Sequence, residues 1–137
     1  MKKFILASVV LSFLFAGCSK NDKNCDLNSA NLVGTYRTTA IKYKASTGSQ
    51  EIDIFSSLEA CVKDDLIIFN DNGTVVFQDA GSVCSPSGND SGSWNLSGNR
   101  IMLDGEAGTV TSFECKTMVI TFTETTGEVS TITLAKL

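Results

Sequence analysis

Five cysteines, at positions 18, 25, 61, 84 and 115, are the most reactive side chains of this 137-residue chain, and no histidine accompanies them. The commonest general base and transition-metal ligand is thus missing, which excludes a Ser-His-Asp triad and a histidine-ligated zinc site. There is no Ser-x-x-Lys signature, and no CxxC pair to give the tight ligand spacing of a four-cysteine metal site. Two acidic features remain. Asp64-Asp65 could be imagined as a carboxylate pair for glycoside hydrolysis, but adjacent strand residues point to opposite faces and would diverge. The expectation is that the pair ends a helix and opens a strand, one carboxylate bonding backbone amides. Asn70-Asp71-Asn72-Gly73 lacks the alternating Asp spacing and distant Glu of a calcium loop and reads as a turn. No enzyme, cofactor or metal is expected.

The cysteines divide by their surroundings. Met1-Lys2-Lys3 precedes an apolar run from Phe4 to Ala16 broken only by Ser8 and Ser12. A basic start, a short apolar stretch and small residues at its end make a secretory signal. The run is too short to cross a bilayer, which takes about 20 apolar residues. Phe15-Ala16-Gly17-Cys18 resembles the bacterial lipobox, in which small residues precede a cysteine that is acylated and becomes the new N-terminus. The resemblance implies a diacylglycerol thioether and an N-acyl chain on Cys18, hence a membrane anchor, each buried methylene adding about 0.8 kcal/mol. On this reading residues 1–17 are the signal peptide, 18–31 the lipidated tether and 32–137 the folded domain. Ser19, where an Asp would favour inner-membrane retention, points to the outer membrane of a bacterial cell envelope. The mixed charge of Ser19–Asn24 favours a periplasm-facing position.

Removing the signal takes away two lysines and no acids, leaving nine basic against 15 acidic side chains in 120 residues. That is enough chain for one domain with a real core. Its acidic balance argues against nucleic acid, whose phosphates demand basic patches. Four cysteines remain, Cys25, Cys61, Cys84 and Cys115. An even number in an exported domain predicts two disulfides, with three connectivities open.

The elements around these residues are short. Leu32 to Lys44 is rich in Thr, Tyr and Ile and reads as a long first strand. In "DIFSSLEACV", Ile54, Phe55, Leu58 and Val62 fall at helical spacing, predicting one short helix after that strand with Asp53 as a cap. Leu66–Phe69 and Thr74–Gln78 make a hairpin across the Asn-Gly turn. Trp94 and Leu96 pair across Ser97-Gly98-Asn99 with Ile101 and Leu103. Strands at Thr109–Cys115, Thr117–Thr123 and Glu128–Lys136 follow, and in the second of these Met118, Ile120 and Phe122 share one face. Eight strands with short connections predict an all-β, antiparallel up-and-down barrel, which leaves no exposed edge; a sandwich is the alternative.

Leu32-Val33-Gly34-Thr35-Tyr36 looks like the Gly-x-Trp opening of lipocalins, with Tyr for Trp. Cys61-Val62-Lys63-Asp64-Asp65, followed by Phe69, Asn72-Gly73, Cys84 and Gly92-Ser93-Trp94, is similar to the lipocalin-like lipoprotein domains common in Bacteroidetes. The likeness covers roughly residues 30–137, and departs from true lipocalins in placing the only helix after the first strand and in its short strands. It implies that Cys61 pairs with Cys84, leaving Cys25 with Cys115. By chain entropy those loops contribute about 3–4 kcal/mol and somewhat more. With Cys25 stapled, only Ser19–Asn24 is free tether, at most about 20 Å of chain.

Two uses follow. In the first, the barrel binds a small apolar ligand at its open end, beneath loops around Ile54–Leu58 and Gly81–Asp90, with Ile54, Phe55, Leu58 and Trp94 as candidate contacts. In the second, side chains fill the barrel, and it serves as a non-enzymatic scaffold for an envelope protein or polysaccharide. Trp94 at the Gly-x-Trp position reads first as a plug of the barrel floor, and Tyr36, Phe69, Phe77, Phe113 and Phe122 read as core first and ligand wall second. The anchor is testable independently: Cys18→Ser is expected to move the protein from the membrane fraction to the soluble one. Continued sedimentation with membranes, with no acyl chains on the wild-type protein by mass spectrometry, would refute it.

Overall fold

The computed structural model describes residues 25–137; the signal segment and Cys18 lie outside them. Within these residues a one-turn helix α1 (Ser29–Leu32) leads into β1 (Gly34–Lys44) and the two-residue β2 (Ile52–Asp53). Then come β3 (Leu66–Phe69), β4 (Thr74–Gln78), β5 (Asp90–Ser97), β6 (Arg100–Leu103), β7 (Glu106–Phe113), β8 (Thr117–Thr123) and β9 (Val129–Lys136). Each pairs antiparallel with its neighbour, and β9 returns to β1 from Tyr36↔Lys136 to Lys44↔Val129. Eight strands therefore close into the expected barrel, with β2 added beside β1. Closure matters because it satisfies edge N–H and C=O groups that would otherwise invite aggregation.

Period two decides what lies inside. In β8 the buried residues are Met118, Ile120 and Phe122, and their partners across the ladders are Leu134 and Ile132 on β9 and Val110 and Gly108 on β7. Leu96 faces Ile101 and Trp94 faces Leu103. Leu32, Tyr36, Phe69, Val75, Ile101, Met118, Ile120 and Leu134 are all less than 2% exposed.

The segment after β1 differs from the expected single helix. It holds a 3₁₀ turn, Phe55–Ser57, and a one-turn helix α2, Ala60–Lys63, with Leu58 and Glu59 extended between them. Another helical turn, α1, precedes the first strand, so the helix after β1 is not the only one. The reason is tertiary. β1 has 11 residues, but β3 pairs only with Gly34–Arg37, so the upper half of β1 needs another partner on that side. β2 supplies it against Lys42 and Tyr43, and Ile54 N donates to Ile41 O at 3.0 Å. A ten-residue helix is marginal in isolation and loses to this pairing. Asp53 still caps, its Oδ1 accepting from Phe55 N and Ser56 N at 3.0 and 3.3 Å.

One end of the barrel is plugged. Tyr36 and Phe69 meet edge to face at 5.5 Å, as do Phe69 and Trp94. Tyr36 OH donates to Leu32 O at 2.7 Å, and Trp94 Nε1 donates to Asn70 O at 2.9 Å, so both buried polar tips are satisfied. Burial pushes the Tyr36 hydroxyl up to about 12, keeping it a donor. Lys136 crosses above the Tyr36 ring at 5.6 Å and donates to Asn31 O at 2.7 Å, and burial lowers its ammonium from the ordinary value. A side chain at Gly34 would collide with the Lys136 stem. Tyr36→Phe keeps the ring and strands the Leu32 carbonyl, so a loss of about 1–2 kcal/mol is expected in urea unfolding. An unchanged midpoint would show that the hydroxyl does not hold the floor.

Candidate functional site

The opposite end of the barrel is open. A cavity of about 510 Å³ sits there, walled by Ile41, Phe77, Leu103, Phe122 and Ile132 from five different strands. Register brings them together: Ile41 lies across from Ile132, and Phe122 across from Ser130, which also lines the space. The remaining lining residues are three carboxylates, Asp104, Glu106 and Glu124. The volume falls in the range of about 300–1,000 Å³ usual for small-molecule sites. A separate depression of about 400 Å³ lies on the outward faces of β7 and β8 among Thr109, Thr121 and Thr123, away from this interior.

The carboxylates reach the mouth by local geometry. Asp104 and Gly105 form the β6–β7 turn with φ of 50° and 87°, the left-handed backbone that a two-residue hairpin demands and that Asp and Gly tolerate. Asp104 then leans across β5 at Gly92, where any Cβ would collide with its carboxylate. Glu106 faces inward opposite Leu103. Glu124 opens the β8–β9 turn, its N–H donating to Glu128 O at 2.9 Å. At the same rim Glu128 accepts from the Tyr43 hydroxyl and from Thr126 Oγ1, and the Tyr43 bond above all holds its carboxyl below the ordinary value.

None of the four candidate contacts lines this cavity. Trp94 packs against Phe69 in the floor, beneath its ladder partner Leu103. Ile54, Phe55 and Leu58 are half-buried in the wall segment beside β1, where Lys63 Nζ lies 5.8 Å over the Phe55 ring. Phe77 and Phe122, read as core first and ligand wall second, do both: they pack in or against the core and face the cavity. Asp104 and Glu106 had a partial signal in the sequence, an Asp-Gly hairpin dipeptide whose register carries Glu106 inward.

A second cluster organises the β4–β5 loop. Both disulfides join the partners that the family resemblance implied: Cys61–Cys84 and Cys25–Cys115, each with Cα atoms 5.3 Å apart. Buried Asp79 accepts from Cys84 N at 3.1 Å and Gly88 N at 2.9 Å. Asp64 and Asp65 end a helix and bond backbone amides as expected, but with both carboxylates rather than one, and instead of diverging they converge on this loop: Asp64 Oδ2 accepts from Ser82 N at 2.9 Å and Asp65 Oδ1 from Ala80 N at 3.2 Å. Neither lies in β3, since Asp64 is the C-cap of α2, so strand alternation does not apply. Asn70–Thr74 is the plain turn expected, with Asn72 Oδ1 accepting from Thr74 N at 3.0 Å. Among the described residues no group of three or more His, Cys, Asp or Glu could hold a metal.

The lipocalin-like domain family matches residues 32–126, which takes in β1 through β8. The chain belongs to the lipocalin-like domain family. No curated protein matches it. Lipocalin-like barrels are a ligand-binding fold, and here that fold has one plugged and one open end.

Asp65 gives the loop cluster a measurable signature. Burial raises its carboxyl above the ordinary 3.8, partly offset by the Ala80 bond, with Asp79 and Asp64 raising it further. The folded state therefore binds more protons than the unfolded one between 3.8 and the raised value, and stability from this group falls as pH rises through that window. Asp65→Asn keeps an acceptor for Ala80 N and removes the titration. The stability of the variant relative to wild type is expected to rise with pH across the window and then level off; a constant difference would mean that Asp65 is not desolvated.

Proposed function

We propose that this is a lipoprotein of the Bacteroidetes type, anchored through Cys18 in the outer membrane, whose barrel holds a small apolar ligand in the periplasm. The observation that carries the binding role is the cavity of about 510 Å³ lined by apolar residues of five strands. An open, apolar-walled mouth on a stapled barrel has no use in stability, since filling it would bury more surface at about 25 cal/mol per Å².

Orientation supports the same reading. Cys115 lies in the β7–β8 turn at the plugged end, where Lys136 N donates to Lys116 O at 2.8 Å, and its bridge to Cys25 brings the N-terminal tether to that end. With Cys18 acylated, the plugged floor faces the lipid and the mouth faces water. The scaffold reading draws on a different fact, the solid packing of the lower barrel. It would use the exposed loop around Val83, which is 66% exposed.

Titration with the uncharged fluorophore N-phenyl-1-naphthylamine separates the two. Wild-type protein is expected to enhance its emission, and Ser130→Phe, which fills the cavity opposite Phe122, to weaken binding about tenfold or more by displacing apolar contact. No enhancement by the wild type, with no small molecule co-purifying in native mass spectrometry, would transfer the function to the scaffold reading.

A further inference from the structure

The charge around the mouth is one-sided. Asp104, Glu106 and Glu124 line the cavity, and no lysine or arginine does. Among the described residues none of the three carboxylates has a side-chain hydrogen bond or ion pair. The cations on the adjoining strands are turned away by strand alternation: Arg100 lines the outer depression with Ala107, Thr109 and Thr123. Lys42 and Lys44 flank inward Tyr43 and so lie on the outer face, where both pair with Glu51 at 2.9 and 3.6 Å. Lys63 is taken up by Ser56 O at 2.9 Å. Glu128, held ionised by Tyr43, adds to the negative field. The cavity thus has an apolar wall and an anionic rim, with no partner for the rim within the described residues.

We infer that the mouth takes a cationic amphiphile: an alkyl or aromatic body against Ile41, Phe77, Leu103, Phe122 and Ile132, with an ammonium-class head among Asp104, Glu106 and Glu124. This rests on the mouth being a ligand site and names the class of ligand. The apolar wall drives burial of the body. The rim selects the head, because a carboxylate or phosphate there would meet like charges with no cation to offset them. Fatty acids, whose heads are anionic, are disfavoured by the same field. The head sits at the rim, so it keeps part of its hydration and avoids the full cost of burying a charge.

Calorimetric titration of octyltrimethylammonium, octanoate and octanol into the protein tests this, since the three share a chain and differ in head charge. The cation is expected to bind about tenfold tighter than octanoate, as exposed ion pairs are individually weak and three act together. The gap should narrow as salt is raised. The Asp104→Asn, Glu106→Gln, Glu124→Gln triple variant is expected to bring the three ligands to parity; Asn preserves the turn at 104. Glu106→Gln alone, with folding checked by its unfolding midpoint, should narrow the gap in the same direction. Equal binding of all three by the wild type would overturn the cationic assignment and leave an apolar site standing. A preference unchanged in both variants would overturn the role of these carboxylates. If none of the three binds, the mouth is not a ligand site, and the reading on which this inference rests falls as well.

Discussion

Tyr36 is where the barrel closes. On one side it pairs with Ile67 of β3 and on the other with Lys136 of β9, as Arg37 next to it pairs with Leu66 and Ala135, so its inward side chain sits at the junction that turns a sheet into a cylinder. Its ring meets Phe69 edge to face, and its hydroxyl ends on the Leu32 carbonyl. α1 is thereby drawn over the end of the barrel as a cap, with Leu32 fully buried beneath it. A phenylalanine could supply the ring but would leave a buried carbonyl unpaired, and an unmade hydrogen bond costs more than a made one contributes.

This plug gives the two ends different physics. At the floor, aromatic rings, α1 and Lys136 fill the cross-section. Towards the mouth the same strands diverge from any such filler, and the walls face a cavity. The disulfides follow this division. Cys25–Cys115 ties the N-terminal approach to the β7–β8 turn at the floor, while Cys61–Cys84 ties α2 to the long β4–β5 loop. By chain entropy the 23-residue and 90-residue separations correspond to about 3.5 and about 4.6 kcal/mol. Those terms help a domain of this size hold an open cavity that contributes no burial of its own.

Most of the barrel was legible because its strands announce themselves locally. Thr117–Thr123 alternates cleanly, and the Asn72-Gly73 and Ser97-Gly98 turns fix their hairpins. The family pattern carried the cysteine pairing, which spacing alone left open. What failed did so for non-local reasons. The helical spacing of Ile54, Phe55, Leu58 and Val62 was real, but the stretch of β1 beyond its pairing with β3 claimed the segment for β2. Asp64 and Asp65 do end a helix and lead into a strand, but the loop that both carboxylates bond, through Ala80 and Ser82, is distant in sequence and could not be read from them. Taking 109 as the start of β7 hid Glu106, although Asp104-Gly105 is a hairpin signal. The candidate ligand contacts lie elsewhere than the cavity wall: Ile54, Phe55 and Leu58 are on the segment beside β1, and Trp94 is on β5, packed against Phe69.

Glu106 is the residue that the fold does not account for. Asp104 has a structural reason to be where it is, since the turn needs a positive φ and Asp accepts one. Glu124 and Glu128 bracket a turn whose backbone bonds need no particular side chain, and polar residues there are ordinary. Glu106 is different: it occupies an inward position of β7 facing Leu103 and lines an apolar-walled cavity beside two other carboxylates. For stability alone, a valine or threonine would suit that position better, adding strand propensity and burial without like-charge repulsion. A rule broken at an inward strand position, without compensation from any described neighbour, is the local inconsistency that folds tolerate where function requires it. The repulsion is small because the rim is wet and screened, so the cost is one that a doubly stapled barrel can carry.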